Sequence, residues 1–217
     1  VFFKDENIWN DTLSKISNFT NHLHCYFGDT LNSSDYSLYC EKFEKRIHDY
    51  ICESTHYDHD THDPAKAKDD SKCQSQTIYS LITKGYTVCA GYAATFLYCC
   101  RTYGVKAISR DGLSASSDSE ISVNGYALHQ WNYVYTASGW KAVDVCWDDE
   151  VTVIETGLFS KKEKFYDIVY NYYNIDINKF NNEEHTPYTT DMDAHLKHME
   201  SGNTIRCKES GFGVKFQ

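Results

Sequence analysis

The chain has 217 residues, 41% of them hydrophobic and only two of them proline, and this composition predicts a folded chain with one hydrophobic core. Its net charge of -10 argues against nucleic acid and anionic membranes as partners, because both would repel it. No apolar run approaches the length of a membrane-spanning helix, and the opening VFFKDENIWN lacks the charged and apolar regions of a signal peptide. We therefore expect no membrane insertion, whereas nothing in the composition indicates an oligomeric state.

The first 84 residues predict helices that are joined by polar loops. Apolar residues at helical spacing indicate a helix within residues 1–35 and a second from Tyr36 to about Glu53, and helical propensity returns at Lys72–Thr83. The segments 28–35 and 54–70 are rich in turn-forming and charged residues and predict loops. The second helix is amphipathic, and its charged residues are expected on a solvated face: Glu41, Lys42, Glu44, Lys45 and Arg46.

The loop at 54–70 contains three histidines that are three residues apart, His56, His59 and His62. That spacing is compatible with a metal site, but Pro64 and the many aspartates are more typical of a solvated loop. The acidic stretch also lacks the pattern of an EF-hand calcium loop. We therefore predict no metal and no other cofactor.

The stretch from Gly85 to Glu150 predicts one buried helix that is followed by three strands. Apolar residues recur every three or four positions from Cys89 to about Gly104, which is typical of a buried helix. The strand-like runs that follow are Val105–Arg110, Ala127–Tyr135 and Trp140–Trp147, with a flexible loop between the first two. Beyond Glu150, aromatic and polar residues alternate, and this part is expected to wrap the same core.

Nine cysteines are many for a chain of this length, and the number favours an oxidising compartment in which disulfides persist. An odd number leaves at least one thiol over in a monomer. If Cys89 is that thiol, the other eight can form four bridges, and we expect a secreted or extracellular protein. The alternative is that these cysteines are buried free thiols. A zinc site is disfavoured because the chain contains no CxxC pair.

Three side chains at the ends of consecutive elements indicate nucleophilic catalysis: Cys89 opens the helix, and His129 and Asp144 lie in the second and third strands. A thiol attacks a carbonyl only as the thiolate, and both a helix N-terminus and a nearby imidazolium favour that form. Each residue also has an ordinary structural interpretation. Cys89 can be a core residue, His129 a hydrogen-bonded histidine and Asp144 the end of a strand.

Strand parity tests whether His129 and Asp144 face the same way. In a hairpin closed by a two- or four-residue turn around Ala137–Ser138, opposed residues have numbers with an odd sum. The sum of 129 and 144 is odd, so the two side chains are predicted on one face, together with Trp131, Tyr133 and Ala142. A three- or five-residue turn without a bulge would separate them.

The strings that contain these residues, VCAGYAATF, LHQWNYVY and GWKAVDVCWDD, resemble the three core motifs of the transglutaminase-like superfamily. The resemblance is strongest to a single-domain branch that is often found in bacteria. IHDYICESTHYD upstream and NIDINKFNNEEHTPY downstream, with its histidine near the end, also resemble that branch. The similarity spans roughly residues 40–190.

The resemblance implies an α+β, papain-like fold in which the cysteine helix packs on a small antiparallel sheet, with additional N-terminal helices. It implies that Cys89 is the nucleophile, His129 the general base and acid, and Asp144 the residue that orients His129. Tyr79 would support the site beside Cys89, and Trp131 would pack against the histidine.

The function that follows is cysteine-dependent acyl transfer on protein or peptide amides through a thioester. The acceptor stays open, because an amine gives cross-linking whereas water gives deamidation or proteolysis. The alternative is a catalytically silent binding or adhesion module with the same fold. In either case we expect one domain over residues 1–217, with a helical part at 1–84, the core motifs at about 85–150 and a wrapping part at 151–217.

Overall fold

The computed structural model describes residues 6–27, 36–61, 74–115, 125–156, 161–182 and 184–188. The predicted loop at 28–35, His62, most of the flexible loop after the first strand and the tail beyond residue 188 lie outside this part. The helices are α1 (Glu6–Phe27), α2 (Tyr36–Ser54), α3 (Ile78–Lys84), α4 (Cys89–Thr102), α5 (Val145–Asp148) and α6 (Ile177–Phe180). The strands are β1 (His56–Tyr57), β2 (Tyr86–Thr87), β3 (Ala107–Ala115), β4 (Tyr126–Thr136), β5 (Gly139–Val143), β6 (Asp149–Thr156), β7 (Lys161–Ile168), β8 (Ile175–Asp176) and β9 (His185–Pro187).

The central element is a five-stranded antiparallel sheet with the strand order β8-β5-β4-β3-β9. Helix α4 packs against it, and Asn132 on β4 fixes the contact by donating from Nδ2 to the Ala93 carbonyl over 3.1 Å. The two outer strands of the sheet, β8 and β9, come from the C-terminal segment, which therefore covers both edges of the sheet. The predicted α+β architecture, a cysteine helix on an antiparallel sheet, is confirmed.

The hairpin of β4 and β5 has the predicted parity. Thr136 pairs with Gly139 and Asn132 with Val143, so a two-residue turn at Ala137–Ser138 closes the hairpin and opposed residues have an odd sum. The third strand ends earlier than predicted, at Val143, because Asp144 caps the short helix α5 instead of continuing the sheet. Its carboxylate satisfies two backbone N–H groups at that helix start.

The main core lies between α2, α4 and the sheet, and α2 contributes the fully buried Phe43, Ile47 and Ile51. The predicted solvated face of α2 holds for Glu41, which is exposed. It does not hold for Glu44, which has 0% exposure and accepts a hydrogen bond from Asn174 Nδ2 over 3.1 Å. Helix periodicity places Glu44 beside Phe43 at the edge of the apolar face, and the segment after β7 then covers it. No helix in the described residues is both long enough and apolar enough to cross a membrane.

The prediction of four disulfides is wrong. Five of the eight cysteines that it needs are described, and all five are free, as is the predicted nucleophile: Cys40, Cys52, Cys99, Cys100, Cys146 and Cys89. Every one of them except Cys89 is buried, where a cysteine acts as a small apolar side chain that fills the core. The side chains of Cys25, Cys73 and Cys207 lie outside the described part. Secretion stays a prediction, but these six thiols no longer support it.

Candidate functional site

Cys89 is the first residue of α4, and the segment before it is held from two sides. The backbone of β2 pairs in parallel with β1, and the Val88 N–H donates to the Ser75 carbonyl over 3.0 Å. Val88 is extended and caps the helix, so Cys89, which is half-buried, begins the first turn. The first N–H groups of a helix have no acceptor in a preceding turn, and the N–H of Cys89 is the first of them.

Gly91 lets the segment that precedes Cys89 lie close against the first turn of α4. A Cβ atom at Gly91 would lie 1.8 Å from Thr87 Oγ1, which is far inside van der Waals contact. Thr87 cannot turn away without loss, because its hydroxyl donates to the Ser75 carbonyl over 2.6 Å in a buried position. The glycine two residues after the cysteine is therefore required by the loop that presents the thiol.

His129 on β4 is the second residue of the site, and it lies between Cys89 and Asp144. Its Nε2 donates to Asp144 Oδ2 over 2.5 Å, and Cys89 lies close enough to its ring to act on the pKa of His129. With Nε2 on the carboxylate, Nδ1 is the nitrogen left to face sulfur. Burial alone would lower the pKa of His129, but the charge of Asp144 and the hydrogen bonds to Asp144 and Cys89 raise it to about 10.

Asp144 uses both oxygens of its carboxylate. Oδ1 accepts the backbone N–H groups of Cys146, over 3.1 Å, and Trp147, over 3.3 Å, at the start of α5. Oδ2 accepts His129 and a second imidazole, His185, whose Nε2 is 2.9 Å away. Burial would raise the pKa of Asp144, but His129 and His185 together hold it well below its usual range. Asp144 is therefore an ionised carboxylate with 1% exposure and four hydrogen-bond donors.

The structure thus brings Cys89, His129 and Asp144 together, in the order that a nucleophile, its base and the base's orienting group require. We call these three residues the triad. The His129–Asp144 pair is buried, whereas Cys89 is half-buried. Their catalytic roles stay a prediction, because the structure shows where the groups lie and not what they do.

The two predicted supporting residues, Trp131 and Tyr79, differ in what they contact. Trp131 lies against the histidine, with 6.0 Å between the stacked ring centroids of His129 and Trp131. Tyr79 on α3 is turned towards α1, where its hydroxyl donates to Asp11 over 3.3 Å and its ring lies 5.2 Å from the Lys15 amine. A role for Tyr79 beside Cys89 stays a prediction that these contacts do not support.

His185 is the residue of the site to which sequence reasoning assigned no role. It lies on β9, 41 positions after Asp144 in the chain, and it reaches Asp144 only because β9 pairs with β3. The histidine in HTPY belongs to the tail motif of the family resemblance, and that motif is the one sequence signal that points to it. No local spacing relates it to the triad.

The donor atoms of His129, Asp144 and His185 lie within 4.8 Å of one another, which is close enough for one metal ion. Two imidazoles and a carboxylate are also ligands that zinc accepts. Both Nε2 atoms lie at hydrogen-bonding distance from the same ionised oxygen, 2.5 and 2.9 Å. Hydrogen bonding accounts for this convergence, and we assign no metal to it.

A buried ion network supports α5 from the side of α2. His48 has 0% exposure, and its two ring nitrogens lie 3.1 Å from carboxylate oxygens of Asp148 and Asp49. Burial would lower the pKa of His48, but the hydrogen bonds to Asp148 and Asp49 raise it above its usual value. These two contacts favour the imidazolium form of His48, and they tie α2 to the last residue of α5. Asp144 caps the other end of this four-residue helix.

Brief treatment of the native protein with iodoacetamide is expected to label Cys89 and to spare the other five described cysteines, as peptide mass mapping can show. Burial raises the pKa of Cys99 and Cys100 thiols and keeps the reagent away from them. After denaturation without a reducing agent, all six are expected to react, because none is in a disulfide. Labelling that requires prior reduction would contradict this.

Comparison with known proteins gives one family. The model of the transglutaminase-like superfamily matches residues 30–145, which is more than half of the chain. No curated protein matches. Among solved structures, a TGase is 14% identical with a TM-score of 0.42, over 65% of this chain and 33% of that one. A candidate cysteine protease from Cytophaga hutchinsonii is 17% identical with a TM-score of 0.32, over 54% of this chain and 41% of that one.

The chain therefore spans less than half of each of these two solved chains. The match to the family model includes Cys89 and His129, and it ends one residue after Asp144. His185 lies beyond it.

Proposed function

We propose that this chain, which belongs to the transglutaminase-like superfamily, is an enzyme that transfers acyl groups from protein or peptide amides through a thioester on Cys89. One observation carries the proposal. Cys89, half-buried at a helix N-terminus, lies beside an imidazole that a buried, ionised carboxylate holds in place over 2.5 Å. A core cysteine has no need of such a partner, and a nucleophile does.

The first half of the reaction uses the proton that His129 and Cys89 share. The thiolate of Cys89 attacks the amide carbon while His129 carries the proton on Nδ1. The C–N bond then breaks, the imidazolium gives that proton to the departing nitrogen, and ammonia or an amine leaves. Cys89 is left as the thioester of the acyl group, and His129 is left neutral.

The second half returns the enzyme to its starting state. Neutral His129 accepts a proton from water or from a primary amine as that acceptor attacks the thioester carbon. The C–S bond breaks, the thiol is restored, and the product is a carboxylic acid or a new amide. Asp144 stays ionised throughout and stabilises the imidazolium of the first half.

The helix start also provides donors for the oxyanion that forms in both halves. The N–H groups of Gly91 and Tyr92 donate to the Val88 carbonyl, over 2.8 and 3.2 Å. The N–H of Cys89 precedes them in the first turn, where a helix offers no acceptor, and it lies next to the attacking sulfur. A donor in that position is suited to stabilise a tetrahedral intermediate.

The test uses glutamine-containing peptides, with and without a primary amine, and follows ammonia release and product mass. We expect the wild-type protein to form a thioester on Cys89 and Cys89→Ala to lose turnover completely. Cys99→Ala is the matched control, because Cys99 lies on the same helix, is buried and is remote from the triad. Turnover of Cys89→Ala at the wild-type rate would contradict the proposal.

The same experiment distinguishes the acceptors. A peptide that gains the mass of the added amine less that of ammonia indicates cross-linking, a gain of about one mass unit indicates deamidation, and peptide fragments indicate proteolysis. A wild-type protein that turns over none of these peptides, and whose Cys89 reacts with iodoacetamide no faster than a free thiol, would be a silent binding module instead.

A further inference from the structure

We propose that His185 is a positioning residue of the triad, which holds Asp144 by a hydrogen bond to the same oxygen that holds His129. This inference rests on the proposed function and extends it to a segment outside the part that matches the family model. It depends on three observations: how β9 reaches the site, what surrounds His185, and which oxygen its ring contacts.

The approach of β9 to the sheet is specific. Ser114 on β3 pairs with His185, and Gly112 pairs with Pro187. A Cβ atom at Gly112 would lie 2.3 Å from the Thr186 carbonyl oxygen and 2.6 Å from the Trp131 ring. Only glycine therefore lets β9 lie this close to β3 with Trp131 underneath. The same close approach carries His185 to Asp144.

The surroundings of His185 are aromatic and leave almost no access to water. Its exposure is 1%, and its ring centroid lies 4.1 Å from that of Phe180 and 4.4 Å from that of Trp147. Trp131 and Tyr172 close the enclosure at 5.3 and 5.4 Å. A buried imidazole N–H that lost its partner here would find no water to replace it. The hydrogen bond to Asp144 is therefore the polar contact that this enclosure is built around.

The contacted oxygen decides the role. Asp144 Oδ1 is occupied by the N–H groups of α5, so only Oδ2 is left to orient His129. His185 donates to this oxygen from a position different from that of His129, because the two ring centroids are 5.5 Å apart. Two donors fix the position of Oδ2 better than one, and they share its charge. His185 thereby limits both the rotation of the carboxylate and the rotation of the His129 ring that follows it.

The test compares two substitutions, one that keeps the hydrogen-bond donor of His185 and one that keeps its aromatic ring. His185→Gln loses the ring, but it places an amide N–H at the same number of bonds from Cα as Nε2, so the hydrogen bond to Asp144 can form. His185→Phe keeps an aromatic ring and loses the donor. A positioning role by hydrogen bonding predicts that glutamine preserves function and phenylalanine does not. A packing role predicts the reverse.

Two readouts are needed. The first is the rate of Cys89 alkylation by iodoacetamide at pH 6, together with peptide turnover. We expect His185→Phe to lower both by roughly 10- to 100-fold, the range for one hydrogen bond to a charged group, with kcat falling and KM unchanged. The second is the ring nitrogen NMR spectrum of ¹⁵N-labelled protein. We expect the Nε2–H signal of His129 to persist in His185→Gln and to exchange with water in His185→Phe.

Each outcome is informative. His185→Phe with wild-type alkylation and an unchanged His129 signal would overturn the proposal, and so would equal losses in both variants. Thermal unfolding of each variant shows that it is folded before the readouts are compared. If the wild-type protein turns over no peptide, the proposed function fails, yet alkylation and NMR still decide whether His185 positions the pair of Asp144 and His129.

Discussion

Replacement of Asp144 by asparagine is expected to lower the rate of acyl transfer by about four orders of magnitude, the loss found when a triad keeps its shape but not its proton arrangement. The amide has one acceptor oxygen, whereas the carboxylate of Asp144 accepts four N–H donors through two oxygens. If the NH₂ group faces His129, the ring must move its proton to Nδ1, where it can no longer take a proton from Cys89. If it faces α5, the helix start loses its cap.

Either orientation also removes the negative charge that keeps His129 protonated. The pKa of His129, which Asp144 raises to about 10 against the effect of burial, is therefore expected to fall strongly in Asp144→Asn. Peptide turnover and ring nitrogen NMR of His129 measure the two effects separately. Turnover within tenfold of the wild-type rate would show that Asp144 does not orient the base.

Asp176→Asn is the matched control. Asp176 also caps a four-residue helix, α6, where its carboxylate accepts the Asn178 N–H over 3.0 Å. Among the described residues it contacts no histidine, and it forms an ion pair with Lys141 at 3.8 Å in which its own side chain is 46% exposed. Asparagine is as good a helix cap as aspartate, so we expect this variant to keep the wild-type rate. A comparable loss in both variants would mean that capping, and not the triad, determines activity.

The parts of the site that follow local patterns are the parts that could be predicted. Helical periodicity places Cys89 at a helix start, and strand parity places His129 and Asp144 on one face once the turn has two residues. Both rules operate within one element or one hairpin. His185 lies 41 residues after Asp144, and it reaches the site only because β9 pairs with β3. No periodicity in the chain encodes that pairing.

The errors have physical causes of the same kind. Counting cysteines assumes that thiols pair, whereas five of those described fill the core as apolar side chains. Helical periodicity assigns a charged residue to solvent unless another segment covers it, and Asn174 and its neighbours cover Glu44. In each case the tertiary contact decides, and the local pattern does not contain it.

Because Glu44 is buried, we expect the stability of the protein to depend on pH. Burial raises the pKa of Glu44 from 4.5 to about 8, in spite of the hydrogen bond from Asn174. The unfolded chain loses this proton near pH 4.5 and the folded protein keeps it to about pH 8. Between these values the folded protein binds more protons, so its stability falls as the pH rises. At about 1.4 kcal/mol per pKa unit, the contribution of Glu44 is at most about 5 kcal/mol.

Other buried groups act in the same direction. Burial raises the pKa of Asp149 to about 6, which lowers stability between pH 3.8 and 6. His48 and His129 have raised pKa values in the folded protein, so each stabilises it fully below about pH 6.5. This stabilisation is lost as the histidine deprotonates in the folded protein, for His129 by about pH 10. Asp49 opposes them only in acid, because its pKa is lowered to about 2 and its contribution is complete above 3.8. We therefore expect maximal stability near pH 4 to 5.

Urea denaturation of the wild-type protein and Glu44→Gln between pH 4 and 8 measures this effect. Glutamine can still accept the Asn174 hydrogen bond but has no proton to lose, so the variant is expected to match the wild-type protein near pH 4 and to exceed its free energy of unfolding by a few kcal/mol at pH 8. Glu53→Gln, an exposed change on the same helix, is expected to shift stability by less than about 0.5 kcal/mol at either pH. A difference between Glu44→Gln and the wild-type protein that does not grow with pH would mean that Glu44 is already ionised in the folded protein. In that case α2 would hold a buried negative charge on Glu44 close to His48. Glu44 would then take part in the charged network behind the triad, instead of lying beside it as a neutral acid.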